Sequence, residues 1–241
     1  MEKSNIVISS LIIAFSLIIS VLIYSNNLFK IQNLDNTLVV TGSSTKIVKS
    51  DLAKLNSSFF RTVTESELKK GYAFMQEDEK KVINFLNENN ILEDEYEIYP
   101  VSMYKDYYYD KAIDQDPRYN LSQRVVITSS DIEKIKNLSQ KANDLIKLDV
   151  IYQTNAPEYY YTKLPDERIN LLPEAVLDAR KRAEAIAKSA DRGVNTIKSA
   201  DMGVVQIMQP NSTDIASYGA YDTSTVEKEI MITVRVNFVL D

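Results

Sequence analysis

The chain has 241 residues, of which 44% are apolar and 26% charged, as is ordinary for a globular protein that buries a core. It contains no His and no Cys, which excludes a Ser-His-Asp triad, a conventional zinc site, thiolate chemistry and disulfides. The net charge is -6 and no basic stripe stands out, so we expect no nucleic-acid partner.

The first predicted element is a membrane helix. Residues 6–24 read IVISSLIIAFSLIISVLIY, an uncharged run of 19 residues that is long enough to cross a bilayer core of about 30 Å. A cleaved secretory signal has a shorter apolar core and small residues before the cleavage site, whereas bulky Ile23 stands there if cleavage follows Ser25. The run therefore favours an uncleaved anchor, or signal anchor, over residues 1–25.

The topology of this anchor is weakly encoded. Lys3 and the terminal amine precede the apolar run and Lys30 follows it, which slightly favours a cytoplasmic N-terminus. We therefore predict a single-pass protein of the bacterial cytoplasmic membrane, with its soluble domain on the periplasmic or extracellular side. Polar residues 26–36 form a tether, and residues 37–241 form the domain.

The first half of this domain begins with two strands and a helix. TLVVTGSST at 37–45 is the first strand, and DLAKLNSSFFRTV at 51–63 alternates polar and apolar residues with period two. Thr64 opens the helix with a capping-box pattern completed by Glu67. After the helix, residues 96–104 form a strand that Pro100 interrupts, as is typical of an edge or bulged strand.

The second half continues with strands between helices. Ser130 and Glu133 give a second capping box for a helix over 131–146. A long helix follows over 171–191, with Pro173 in its first turn and Gly193 just past its end. The remaining predicted strands are 118–129, 148–154, 203–210 and 227–240. Strands in adjacent pairs with helices between the pairs predict an α+β fold, with mainly antiparallel sheets packed against about three helices.

Alanine recurs at every fourth position of the long helix. Because residues four apart share one side of a helix, they form a stripe without side-chain bulk, against which another backbone can pack closely. The stripe either lies on the domain's own sheet or meets a neighbouring subunit in part. Its members are Ala175, Ala179, Ala183 and Ala187.

Two tyrosine clusters are the candidate contact sites. Three consecutive tyrosines cannot all point into one core from a strand, because alternate side chains face opposite ways. Tyrosine is also enriched at interfaces. The alternatives are a subunit or ligand contact and tyrosines folded over the protein's own surface. The clusters are Tyr107, Tyr108 and Tyr109, and Tyr159, Tyr160 and Tyr161.

Three blocks resemble one bacterial family. LLPEAVLDARKRAEAIAKSADRGVNTIKSADMGVVQI is similar to the Ala-rich helix, Gly turn and strand of SIMPL-domain proteins, and VVTGSSTKIVKSDLAKL and STVEKEIMITVRVNFVL resemble the family's opening and closing segments. Ser50 stands where many members have proline, and Asn90 replaces a Gly after the first long helix. The resemblance implies an envelope protein that forms ring or channel-like oligomers, in some members linked to oxidative-stress defence. It implies no catalytic residue.

These observations lead to three functional hypotheses. The first is a non-enzymatic, membrane-anchored envelope protein that self-assembles as a homo-oligomer through its SIMPL-like domain, with strand edges and the tyrosine loops as the contacts. The second is an extracytoplasmic binding module whose tyrosine-rich loops hold a peptide, glycan or small ligand. The third, an enzyme that uses carboxylates or tyrosine, needs two facing carboxylates in a cleft. We expect no cofactor and no bound metal, and the sequence does not identify a ligand.

Overall fold

The computed structural model describes residues 13–25, 36–106, 117–212 and 218–241. The chain forms two compact units. The first unit consists of Met1–Lys46, Glu167–Val205 and Met231–Asp241. The second unit consists of Ile47–Asp166 and Gln206–Ile230.

The described part of the chain contains four α-helices and ten strands. The helices are α1 (13–25), α2 (Leu68–Glu88), α3 (Ile132–Lys141) and α4 (Leu164–Lys188). The strands are β1 (Thr37–Lys49), β2 (Leu52–Thr64), β3 (Tyr96–Ile98), β4 (Ser102–Lys105), β5 (Arg118–Ser129), β6 (Tyr152–Thr154), β7 (Glu158–Tyr160), β8 (Val194–Met202), β9 (Gln206–Met208) and β10 (Glu227–Leu240). Short 3-10 segments occupy Glu65–Glu67, Glu93–Glu95 and Ala142–Leu148.

The second unit is built on an antiparallel sheet with the strand order β3-β5-β2-β6. β3 and β4 both pair with β5, one after the other along its length. In the same way, β6 and β7 both pair with β2, so each edge of the sheet consists of two short strands. The break between β3 and β4 contains Pro100, where the sequence predicts an interruption. In chain order these elements form a β-α-β-β-α-β unit, which is the ferredoxin-like arrangement.

The core of the second unit lies on one face of this sheet. Ala53, Leu55 and Phe59 of β2 have no exposed surface, as the predicted alternation requires. Both helices contribute to the same cluster with Met75, Val82, Phe85 and Leu86 from α2 and Ile132, Ile135 and Leu138 from α3. The sheet therefore buries one face under α2 and α3.

The first unit contains a sheet in the order β1-β10-β8. Helix α4 lies very close to β1, because a Cβ atom at Gly42 would come within 2.2 Å of the Ala175 carbonyl oxygen and 2.3 Å of the Ala179 amide nitrogen. The Ser43 amide donates to the Asp178 carboxylate over 2.8 Å, and the Ser44 hydroxyl to Glu174 over 2.8 Å. All four stripe residues, Ala175, Ala179, Ala183 and Ala187, are buried. The stripe thus packs within this unit.

The α+β fold class with antiparallel sheets is confirmed. The alternation predicted for β10 is also observed, since Ile230, Ile232 and Val236 are buried while intervening residues remain partly exposed. For the N-terminal segment, residues 13–25 are helical, but none of the described helices combines the length and hydropathy of a membrane span. The predicted anchor is therefore unconfirmed, and residues 26–35 of the tether lie outside the described residues.

The predicted helix starts are wrong in detail. Asp131, not Ser130, is the N-cap of α3, and its carboxylate accepts the Lys134 amide over 3.0 Å. At Thr64 the side chain caps no backbone amide; its hydroxyl instead lies 3.4 Å from the Glu67 carboxylate. α4 begins at Leu164, so Pro173 lies inside the helix and not in its first turn. Serine and aspartate both cap helices well, so adjacent candidates are hard to separate by residue type.

Two strands were absent from the residue-pattern prediction, β7 and β8. β8 is exposed along almost its whole length and therefore has no alternating pattern to detect. The resemblance did imply a strand after the Gly turn, in agreement with β8. At the end of α2, Asn90 has φ 60°, which confirms the prediction that this asparagine adopts the left-handed conformation.

Candidate functional site

The predicted tyrosine sites fall in different parts of the chain. Tyr107, Tyr108 and Tyr109 lie outside the described residues. Tyr159 lies on β7 opposite Ala53 and is buried, and Tyr160 and Tyr161 are half-buried. The second cluster therefore shows the alternation expected of a strand, with one tyrosine inward and its neighbours partly accessible.

Tyr160 and Tyr161 both contact a tyrosine that the sequence analysis did not single out. The Tyr160 ring lies 5.9 Å from that of Tyr221, at an interplanar angle of 39°. The Tyr161 amide donates to the Tyr221 hydroxyl over 3.0 Å. The Tyr160 hydroxyl donates to Glu158 over 2.7 Å, and this hydrogen bond, with burial and the negative charge, raises the pKa of Tyr160 to about 12. In this arrangement the Tyr160 hydroxyl acts as a hydrogen-bond donor to Glu158.

A buried ion pair lies next to this tyrosine cluster. The side chain of Lys228 has no exposed surface, and its Nζ lies 3.5 Å from the Asp222 carboxylate. Nζ also donates to the Asp222 carbonyl over 2.5 Å and to the Thr225 carbonyl over 2.8 Å. The Asp222 carboxylate accepts further bonds from Ser224, over 3.0 Å from its amide and 2.6 Å from its hydroxyl, and from Thr225. These bonds hold Asp222, Ser224 and Thr225 in a turn before β10, and Lys228, the second residue of β10, closes this turn.

The electrostatics favour an ionised aspartate. Burial raises the pKa of Asp222, but the hydrogen bonds from Ser224 and Thr225 and the charge of Lys228 outweigh it, so the pKa lies well below its ordinary range. Burial lowers the pKa of Lys228, and Asp222 partly opposes that shift. Because the two charges lie 3.5 Å apart, the pair presents little net charge to its surroundings.

A cavity of about 290 Å³ opens beside Tyr221 and Asp222. Ile207 and Met208 of β9 are buried there, whereas Tyr221 is 42% exposed. Its further lining residues are Gln209, Ser212 and Ala220. The cavity combines an apolar wall with polar groups, which suits the binding of a small molecule.

The edge of the first unit's sheet is a second accessible surface. β8 pairs with β10 on one side only, and in the described part of the chain no strand covers its other side. Met202 lies opposite buried Val234, and Ile197 lies opposite buried Phe238, yet Met202 and Ile197 are 53% and 47% exposed. We call this strand, with its exposed side chains, the β8 edge.

Tyr221, Asp222 and Lys228 are not among the residues predicted from the sequence. The sequence does indicate that Lys228 is buried. It stands two and four positions before Ile230 and Ile232 in β10, and alternate residues of a strand face the same side. Nothing in the sequence marked Tyr221 or Asp222, whose roles depend on contacts across the fold. Within residues 13–25, 36–106, 117–212 and 218–241, no three or more carboxylates are arranged to hold a metal ion.

Comparisons with curated proteins and with solved structures give no match that informs the fold or the function. No curated protein matches the chain. A de novo designed protein, Foldit4, is 14% identical over 43% of this chain and 96% of its own, with a TM-score of 0.24. A protein assigned as a glycine cleavage system transcriptional repressor is 11% identical over 77% of this chain and 81% of its own, with a TM-score of 0.20. Such low TM-scores carry no structural argument.

The family comparison covers nearly the whole domain. The model of the SIMPL family, described as a protein of unknown function (DUF541), matches residues 38–240. This range includes the opening, helical and closing segments on which the resemblance rests. The chain belongs to the SIMPL family.

Proposed function

We propose that this chain is a non-enzymatic protein of the bacterial envelope, held at the membrane by its N-terminal segment, that self-assembles through its SIMPL domain. A link to envelope or oxidative-stress defence stays a prediction from the family resemblance. The observation that carries the proposal is the β8 edge, which pairs with β10 alone in the described part of the chain and exposes the side chains of Ile197 and Met202. Such edges pair readily with further strands.

The membrane anchor is supported by the character of α1. The sequence run over 6–24 carries no charge, and within the described helix the side chains of Phe15, Leu17 and Leu22 are 66%, 60% and 63% exposed. Exposed apolar side chains along a helix are stable in lipid and costly in water. Anchoring raises the local concentration of the domains on one membrane face, which favours assembly through weak contacts.

Chemical cross-linking of the full chain in native membranes tests this proposal. The double variant Ile18→Arg/Leu22→Arg places two charges in the anchor, each costing about 3 kcal/mol at the centre of a membrane helix. We expect cross-linked oligomers from the wild-type chain, and release from the membrane with loss of oligomers from the variant. Ile18→Leu/Leu22→Ile is the matched control. Wild-type chains that stay monomeric after cross-linking in the membrane would contradict the proposal.

A second candidate function is a binding module, favoured by the cavity beside Tyr221. Its volume of about 290 Å³ suits a ligand the size of a single ring, and the paired charges of Asp222 and Lys228 favour a neutral one. Thermal-shift screening of small neutral aromatic compounds tests this function. Stabilisation by such a compound that Ala220→Leu abolishes would support it, and an unchanged melting temperature across the series would count against it.

A further inference from the structure

We propose that the cleft between the end of α2 and α3 binds a neutral sugar ring, either as a free monosaccharide or as the terminal unit of a glycan. This α2–α3 cleft lies within the second unit and is lined by residues 88–90, by the N-cap of α3 and by four residues of α3 itself. Its volume is about 310 Å³, at the lower end of the range for ligand cavities, which suits a ligand of one ring. The cleft is separate from the cavity beside Tyr221 and does not depend on self-assembly.

The lining of the α2–α3 cleft disfavours an apolar ligand. Seven of its eight lining residues are polar or charged, and Leu138 is the exception. Leu138 is only 2% exposed, so it offers a ligand little apolar surface. A ligand that fits this lining must therefore make its contacts through hydrogen bonds. The hydroxyl groups of a sugar do so, because each of them both donates and accepts.

The charges of the cleft are largely balanced within the fold. Lys134 is neutralised by the Glu95 carboxylate, which lies 2.5 Å from its Nζ. Asp131 is the N-cap of α3, where the positive end of the helix dipole offsets its charge. One carboxylate, that of Glu88, and one ammonium group, that of Lys141, remain in the lining. This balance favours a neutral ligand over an anion or a cation.

Two carboxamides, one from each element, are left for such a ligand. Asn90 follows the C-cap of α2, and Asn137 lies on α3. Among the described residues neither side chain has a hydrogen-bond partner, and the same holds for the carboxylate of Glu88. Because a carboxamide has both donors and an acceptor, the two asparagines can bind neighbouring hydroxyls of one ring.

The side chain of Asn90 is not required by the turn that carries it. Asn90 has φ 60°, and glycine adopts this conformation after a helix at the least cost. Backbone groups hold the turn, since the Asn90 amide donates to the Asn87 carbonyl over 3.0 Å and the Asn90 carbonyl accepts from Lys134 Nζ over 3.3 Å. The carboxamide is therefore available to a ligand.

The frame around the two carboxamides is fixed without a ligand. The Asn89 side chain donates to the Phe85 carbonyl over 2.8 Å and accepts from Lys141 Nζ over 3.1 Å. These bonds, with the contact between Lys134 and Asn90, tie the end of α2 to α3 at two points. A site whose walls are already held in place loses less conformational freedom when a ligand binds.

Saturation-transfer NMR on the full-length chain, in micelles of a detergent without a sugar head group, tests this site. The neutral probes are glucose, galactose, mannose and N-acetylglucosamine, and the charged probes are glucuronate and glucosamine. We expect at least one neutral sugar to bind, and to bind more tightly than either charged probe. Asn90→Gly and Asn137→Ala should each weaken that binding about fivefold, as expected for the loss of one hydrogen bond.

The matched controls are Asn211→Gly and Asn143→Ala, which should leave binding unchanged. Asn211 is exposed and has φ 62°, so its replacement is the same change at another left-handed asparagine, and Asn143 is an exposed asparagine outside the cleft. The methyl glycoside of the bound sugar separates the two sources. Binding equal to that of the free sugar indicates the end of a glycan, and loss of binding indicates a free monosaccharide.

Three results would overturn the proposal. The first is no saturation transfer to any of the four neutral sugars. The second is tighter binding of glucuronate or glucosamine than of every neutral sugar. The third is binding that Asn90→Gly and Asn137→Ala leave unchanged, or that the two control variants weaken equally.

Discussion

At the residue scale, the Asp222–Lys228 ion pair is the buried charged group whose stability depends on its neighbours. Lys228 has no exposed side-chain surface, and three oxygens, one carboxylate and two carbonyls, surround its ammonium group. Removing either partner leaves polar groups of the other without a counterpart inside the turn. The general cost of breaking a buried pair in this way is about 3–5 kcal/mol.

We predict that Asp222→Asn lowers the free energy of unfolding by about 2 kcal/mol at pH 7. This is less than the cost of breaking a fully buried pair, because the Asp222 carboxylate keeps some exposure. Since the folded pKa of Asp222 is depressed, its contribution is fully present above the unfolded pKa of about 3.9 and is lost as the pH falls towards the folded value. Denaturant unfolding of wild-type and variant chains between pH 3 and pH 7 measures this.

The expected signature is a stability difference that is constant near neutral pH and narrows below about pH 4. Asp94→Asn, at an exposed position, is the control for removing one negative charge. A difference that grows as the pH falls would contradict the assigned role of Asp222.

At the element scale, the contact between β1 and α4 sets how closely a helix lies on a sheet. The space at Gly42 is filled by the backbone of α4, at Ala175 and Ala179, and backbone cannot move aside as a flexible side chain can. The alanine stripe and the glycine are therefore one feature, in which residues without bulk on both elements let two backbones meet. The alanine stripe of α4 is visible in the sequence, whereas its contact with Gly42 is seen only in the structure.

Gly42→Ala is predicted to destabilise the chain by about 3 kcal/mol, because its Cβ would overlap the Ala175 carbonyl and the Ala179 amide. Thermal or denaturant unfolding gives the value. Thr41→Ala, at the exposed neighbouring position of β1, should change stability by less than about 0.5 kcal/mol. Equal stability of Gly42→Ala and the wild-type chain would mean that α4 is not held this close to β1.

The start of α3 gives a second test at this scale. Asp131 is the N-cap and its side chain accepts the Lys134 amide, so Asp131→Ala should cost about 1 kcal/mol. Ser130→Ala, at the position that the capping-box pattern favours, should cost little. Urea unfolding of both variants compares them directly, and the reverse order of stabilities would restore Ser130 as the cap.

At the scale of the whole molecule, the sequence predicts regular amphipathic elements well and contacts between distant elements poorly. β5 and β10 coincide with their predicted bounds because their alternation is long and bounded by turn residues. β8 escaped the pattern analysis because its side chains are exposed and not alternately buried. Tyr221 and Asp222 gave no signal, since their surroundings come from β7, β9 and the turn before β10.

The contact on which the proposed self-assembly rests also depends on how distant elements are arranged. From the sequence, assembly is expected at strand edges and at the tyrosine loops, because tyrosine suits interfaces in general. In the described second cluster, Tyr159 is buried and Tyr160 and Tyr161 have contacts within their own unit, so their exposed surface is limited. In the described part of the chain, β8 pairs with β10 alone and has two half-exposed apolar side chains, and an edge of that kind is recognisable only once strand order is known.

The intact mass of the chain in fractionated cells tests the central claim most directly, because anchoring and assembly on one membrane face both require the N-terminal segment to be kept. The account predicts that the membrane fraction contains a chain that retains residues 1–25, with the 27.5 kDa of the 241-residue sequence. Its domain should be digested by protease added to spheroplasts from outside. A chain of this mass free in the cytosol, or a membrane-free chain shortened at its N-terminus, would contradict the account.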